Sequence, residues 1–111
     1  MGMNRSTLKH RSPKHTDYEK EYRRNSQLVL ERAGFRCEIQ AAHDCDGYST
    51  GYPHHRKLRS QGGSNSVDNL ISVCFTGHNW IHRILPRAEA ERLQLIIPRD
   101  AEESPYLGVL P

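Results

Sequence analysis

His54-His55-Arg56-Lys57-Leu58-Arg59-Ser60-Gln61-Gly62-Gly63, then Asp68-Asn69-Leu70-Ile71, then Cys74-Phe75-Thr76-Gly77-His78-Asn79-Trp80-Ile81-His82: the reading of the chain turns on this stretch. His78 and His82 are four apart, so on a helix they share one face and can hold one metal ion. His54 and His55 are adjacent, so on a strand they point to opposite sides. One of them can then join the ion while the other faces a substrate. That set suits metal-assisted hydrolysis with a separate histidine base.

Working outward, Thr16 or Asp17 is a good N-cap for a first helix that runs through Tyr18, Tyr22, Leu28, Val29 and Leu30 to Ala33, with Gly34 as its stop. Phe35 to Ile39 reads as a short strand, and residues 40–51 as a loop. Tyr52 to Leu58 reads as a strand, with Pro53 tolerated near its start. Arg59 to Asp68 is a loop with Gly62-Gly63 at its tip, and Leu70 to Phe75 is the next strand. Gly77 to Leu85 reads as a helix ended near Pro86. Arg87 to Leu95 is a further short helix, and Leu95 to Ile97 a last strand. Strand, loop, strand, helix over residues 52–85 is a ββα unit within an α+β fold.

The same residues resemble a family. His54-His55, Gly62-Gly63, Asn69-Leu70-Ile71 and Cys74-Phe75-Thr76-Gly77-His78 followed by His82 closely resemble the pattern of the HNH endonucleases, whose fold is the ββα-metal (His-Me finger) core. The likeness extends to Glu31-Arg32-Ala33-Gly34-Phe35-Arg36-Cys37 and to Leu85-Pro86 through Leu95-Ile96-Ile97-Pro98, roughly residues 24–98. It implies a metal-dependent endonuclease that hydrolyses DNA phosphodiester bonds with weak sequence preference. His55 would be the general base, and His54, His78 and His82 the ligands of one catalytic divalent ion (Mg2+, Mn2+, Ni2+ or Zn2+). Asn69 would orient the His55 ring or brace the loop, and both roles fit its place. Arg56, Lys57, Arg59 and Arg83 form a row of cations beside the site that would contact DNA phosphates, or else belong to a solvated strand-loop face. Stand-alone chains of this size resemble phage HNH proteins that act beside the genome-packaging terminase, which would place this one in the bacterial cytoplasm.

The cysteines depart from that pattern. Many family members hold a structural zinc with two Cys-x-x-Cys pairs. This chain has Cys37, Cys45 and Cys74, with Gly77 where the fourth cysteine would stand. His43 could complete a Cys3His site with them. Alternatively the zinc is lost and the thiols are small buried hydrophobes. An odd cysteine count argues against a disulfide framework.

At 111 residues the chain is one domain, read as a flexible basic arm (1–15), the nuclease domain (16–98) and a flexible tail (99–111). The folded part is small enough that a bound metal would help it hold its shape. No apolar run approaches the roughly 20 residues that cross a membrane, and no signal peptide is visible. Net charge is +3, with seven Lys or Arg against three acids in residues 1–24. That arm could follow a phosphate backbone or be a plain solubilising tail. A second class of function is a catalytically silent DNA-binding zinc module. A toxin, homing or restriction enzyme would normally bring further domains.

Overall fold

The computed structural model describes residues 13–107. Helix α1 spans Pro13–Ala33, starting a few residues before the expected cap. Proline suits a first helical position, where its missing N–H would have no partner. The helix stops where Gly34 turns left-handed at φ 62°. There the Phe35 N–H reaches the Leu30 carbonyl at 2.9 Å, closing the last turn.

One face of α1 carries Tyr18, Tyr22, Asn25, Val29 and Leu30 at helical spacing. Val29 and Leu30 are buried, whereas Leu28 is 52% exposed. The polar members of the stripe hold distant segments of chain. Tyr18 Oη donates to the Gly63 carbonyl at 3.1 Å, and Tyr22 Oη donates to the Pro53 carbonyl at 2.9 Å. Asn25 Nδ2 donates to the Asn65 carbonyl at 2.7 Å. The helix therefore acts as a splint along the loop that precedes β1 and the loop that follows it.

Strands β1 (His54–His55) and β2 (Leu70–Ile71) pair antiparallel, with His54 opposite Ile71 and His55 opposite Leu70. Both are shorter than the sequence suggests, for a definable reason. The Lys57 N–H goes to the Asn69 side chain at 2.7 Å, which ends the ladder on that side. Past β2, the Ser72 and Val73 carbonyls accept instead from the Glu38 and Thr50 N–H groups, each at 2.9 Å. The expected strand at residues 35–39 survives only as a bridge between Arg36 and Tyr48. Residues 95–97 form no strand, although the Ile97 N–H donates to the Arg56 carbonyl at 2.8 Å.

After β2 come α2 (Phe75–Asn79), a π turn (Trp80–Ile84) and α3 (Arg87–Arg92). The Cys74 sulfur caps α2 by accepting the Gly77 N–H at 3.1 Å. The single helix expected over 77–85 is thus an α turn that widens into a π turn, closed by Leu85 N–H on the Trp80 carbonyl at 2.8 Å. The architecture is α+β: helices with a small two-stranded antiparallel sheet. Ile39, Ile71, Val73, Ile81, Leu93 and Leu95 are at its core. Among the described residues, no helix is long and apolar enough to cross a membrane.

Arg56 corrects an expectation. The sequence makes it a candidate DNA contact, yet it is 1% exposed. Its Nε donates to the Gln94 carbonyl at 2.8 Å, and Nη1 donates to the Asp68 carbonyl at 3.1 Å and to the Ser104 carbonyl. The guanidinium also lies 5.3 Å from the Tyr106 ring centroid. Residues alternate along a strand, so Arg56 follows His54 inward. Lys57 Nζ likewise donates to the Ala101 carbonyl at 3.0 Å. Residues 99–107 contain no helix or strand, but these bonds fasten them to the body of the fold. Residues 108–111 and most of the basic arm lie outside the described residues.

Replacing Arg56 by Met keeps the apolar stem and leaves three carbonyls without their donor. The variant is expected to lose about 3 kcal/mol in urea unfolding, since each unmade buried bond costs about 1–3 kcal/mol. Lysine should recover little, because an ammonium cannot fork to three carbonyls. A loss below about 1 kcal/mol would show that the guanidinium is dispensable.

Candidate functional site

His54, His78 and His82 come together from β1, α2 and the π turn. One ligand atom from each lies within 4.8 Å of the others. Ring centroids are 5.4 Å apart for His54 and His78, 5.0 Å for His54 and His82, and 4.6 Å for His78 and His82. The rings stand edge to face, with interplanar angles of 63°, 72° and 89°. The expected triad is therefore assembled.

His54 is 3% exposed, and its Nε2 lies 2.9 Å from the Leu95 carbonyl. A carbonyl only accepts, so Nε2 carries the hydrogen and Nδ1 keeps the lone pair for an ion. Burial pushes the His54 pKa down to about 3, against an ordinary 6.5. Burial also lowers His78 and His82, and each suffers a neighbouring positive charge as well: His82 for His78, and Arg83 for His82. The three shifts all favour the neutral ring, the form that binds metal.

His55 stands on the other side of the strand. Tyr22 stacks on its ring, centroids 5.2 Å apart at 17°. Its Nε2 lies 2.8 Å from Asn65 Oδ1. Burial lowers its pKa, with the Asn65 hydrogen bond acting in the opposite sense. Asn69 does not reach His55. Its Nδ2 donates to the Lys57 and Ser64 carbonyls at 3.0 and 2.9 Å, and its Oδ1 accepts the Lys57 N–H. Asn69 braces the loop, and the amide beside His55 belongs to Asn65. Neither Asn65 nor Tyr22 was singled out from sequence. Tyr22 shares the Tyr18 stripe, which was a usable signal. Nothing local distinguishes Asn65 from Asn69, because only the path of the loop decides which amide meets the ring.

A groove of about 460 Å³ opens over the site, lined by His54, His55, His78, His82, Tyr52 and Arg59, among others. That is room enough for a small ligand or a nucleotide unit. A second recess on the other side of His78 and His82 is lined by Phe75, Asn79 and Arg83. Arg59 is exposed at the groove and Arg83 at the recess, whereas Arg56 is buried and Lys57 half-buried. Arg59 lies 4.6 Å from the Tyr18 ring centroid.

Cys37, His43, Cys45 and Cys74 form the other cluster, again with ligand atoms within 4.8 Å, and could hold a metal ion. His43 Nδ1 lies 2.7 Å from the Ala41 carbonyl, so it is the protonated nitrogen. Its Nε2 then faces Cys37 and Cys74 sulfurs at 3.8 and 3.7 Å. Tetrahedral zinc, with Zn–S about 2.3 Å and Zn–N about 2.0 Å, would set sulfur and nitrogen about 3.5 Å apart, so the donor set fits. Gly77 makes room for it: a Cβ there would sit 3.0 Å from both Cys74 Sγ and His43 Nε2, and 2.8 Å from Ile39 Cδ1. His43 thus occupies space that a side chain at position 77 would need. Burial pushes the Cys37 thiol up to about 12. Burial acts on Cys74 too, but hydrogen bonds from the Asp46 and Gly77 backbone and from the His43 and Cys37 side chains together outweigh it and lower the net value.

No family model matches the chain, and no curated protein or solved structure matches it.

Two outcomes follow from this geometry. Zinc-loaded protein is expected to carry two ions per chain by elemental analysis, with His43→Ala and His78→Ala each carrying one. Loss of both ions in either variant would show a single shared site. In chelated protein, the folded His54 refuses a proton that the unfolded chain accepts. Stability is then complete above about pH 6.5 and declines as pH falls from there towards about 3. The melting temperature of the chelated protein should already drop between pH 7 and 5, and no change over that range would contradict the assignment.

Proposed function

We propose that this protein is a metal-dependent nuclease of the HNH type, built on a ββα-metal core and acting on DNA. One observation carries the reading. A histidine trio able to hold a divalent ion and a separate, oriented histidine line one groove with an exposed arginine. The resemblance of the His54–His82 stretch to HNH endonucleases points the same way.

The residues divide the work of phosphodiester hydrolysis. His55, neutral and with its Nδ1 lone pair free, accepts a proton from a water. The water oxygen attacks phosphorus, the bond from phosphorus to the 3′ oxygen breaks, and that oxygen leaves and takes up a proton. The product ends are a 5′-phosphate and a 3′-hydroxyl. A divalent ion held by His54, His78 and His82 would supply positive charge for the phosphate and the departing oxygen. Arg59 and Arg83, exposed on either side, would grip flanking phosphates. The Cys37, His43, Cys45 and Cys74 cluster, separate from this machinery, would hold a structural zinc. A role beside a phage genome-packaging terminase goes with the same resemblance.

The second reading is a zinc-bearing DNA-binding module without catalysis, which the Cys3His cluster alone would also serve. Supercoiled plasmid separates the two. Nicking is expected with one or more of Mg2+, Mn2+, Ni2+ and Zn2+, and none with EDTA. His55→Ala should slow cleavage by about 10²- to 10⁴-fold, the usual contribution of a positioned base, with DNA binding retained. DNA binding without cleavage under every metal would favour the module.

A further inference from the structure

Asn65 is fully buried, yet its amide is spent on a side chain of the site rather than on the loop around it. Its Nδ2 donates to the Tyr18 carbonyl in α1 at 2.8 Å. A carbonyl cannot donate, so the amide nitrogen must face the helix and Oδ1 must face His55. Oδ1 only accepts, so the hydrogen between them belongs to His55 Nε2, 2.8 Å away. A neutral imidazole has one N–H, and Nδ1 is therefore left with its lone pair. The orientation of the His55 ring is thereby traceable, bond by bond, to the backbone of α1.

The loop that carries Asn65 is itself held from two sides. Asn25 of α1 binds the Asn65 carbonyl at 2.7 Å. Glu103, from the C-terminal segment, accepts the Ser64 N–H at 2.7 Å and the Ser64 hydroxyl at 2.5 Å. Tyr22 covers one face of the His55 ring. The ring therefore has a fixed plane, a fixed hydrogen and one open edge. A carboxamide achieves this without adding charge next to the ring.

We propose that Asn65 is the positioning residue of His55: it sets which ring nitrogen is free to act as base and aims it, with α1 and the Glu103 strap holding Asn65 in place. The assignment rests on the reading of His55 as the base. Asn65 belongs to neither metal-ligand cluster and does not line the groove, so its influence on the reaction passes through the imidazole.

Two substitutions separate this role from a merely structural one. Asn65→Leu and Asn65→Asp both lose the donor to Tyr18, but Asp keeps an oxygen at His55. Steady-state cleavage by the full-length, metal-loaded protein is expected to show kcat reduced about 10²- to 10⁴-fold in the Leu variant, the range expected when a base loses its proper tautomer. KM and metal content should stay at wild-type levels. Asn65→Asp should remain within about tenfold of wild type. If both variants fail equally, or if KM and metal content fall together with kcat, Asn65 is only a loop brace and the proposal is overturned. A second readout needs no cleavage. Long-range proton–nitrogen correlation spectra of the His55 ring should show hydrogen on Nε2 in the wild type and a mixture of tautomers in Asn65→Leu. An unchanged tautomer in the Leu variant overturns the proposal. If the wild type cuts nothing with any metal, the nuclease reading falls, and the tautomer result alone decides what Asn65 does to His55.

Discussion

Three imidazoles converging on one point are the constraint on which the rest depends. Neutral rings crowded this closely lose water, a cost that a shared cation would offset. The chain accepts that arrangement and organises itself around it. His54 is buried on the two-residue sheet with its far nitrogen tied to Leu95. The helical segment bearing His78 and His82 is capped by Cys74 and widened by a π turn. An apolar core of short aliphatic side chains lies beneath. For a domain this small, burial alone gives a slim margin, and a bound ion at either cluster would add to it.

The polar interior serves the same end. In a larger protein, strands would hold such a site. Here the sheet is two residues wide on each side, and side chains replace the ladder. Asn69 ties Lys57 to Ser64, Arg56 joins three separate carbonyls, and the tyrosines and Asn25 of α1 reach over to the loops. Each bond contributes modestly, but breaking one strands a buried group, and that asymmetry makes the network specify a single geometry. Both histidine clusters show the same device. A ring nitrogen is committed to a backbone carbonyl, which leaves the other free: Leu95 for His54, Ala41 for His43.

Much of this was legible in the sequence. The four-residue spacing of His78 and His82 signalled a shared point, the resemblance added His54, and the structure brings the three together. The sequence offered Cys37, His43, Cys45 and Cys74 as one of two readings of the thiols, with His43 standing in for the cysteine that Gly77 replaces, and the structure brings those four together. The end of α1 at Gly34 also followed from local chemistry. Other features depend on where distant segments meet. Arg56 looked like a surface cation among other cations. It is buried because strand alternation carries it inward with His54, and because carbonyls from Gln94 and Ser104 arrive to receive it. Asn69 and Asn65 are chemically identical and four residues apart, so their division of labour follows from the loop path alone. The expected longer strands failed because side-chain amides and carboxylates competed for the same backbone groups, as Glu38 does at Ser72.

The central claim is that the His54, His78 and His82 trio holds an ion against a scissile phosphate while His55 faces the same phosphorus. Crystals of the His55→Ala protein grown with Zn2+ and a short DNA duplex test it directly, read by anomalous scattering at the zinc edge. The account predicts an anomalous peak within about 2.0–2.2 Å of one nitrogen from each of the three histidines and of a backbone phosphate oxygen. It also predicts the residue-55 side chain directed at that phosphorus from the side opposite the 3′ oxygen. A duplex seated away from the trio, or zinc found only among Cys37, His43, Cys45 and Cys74, would contradict it.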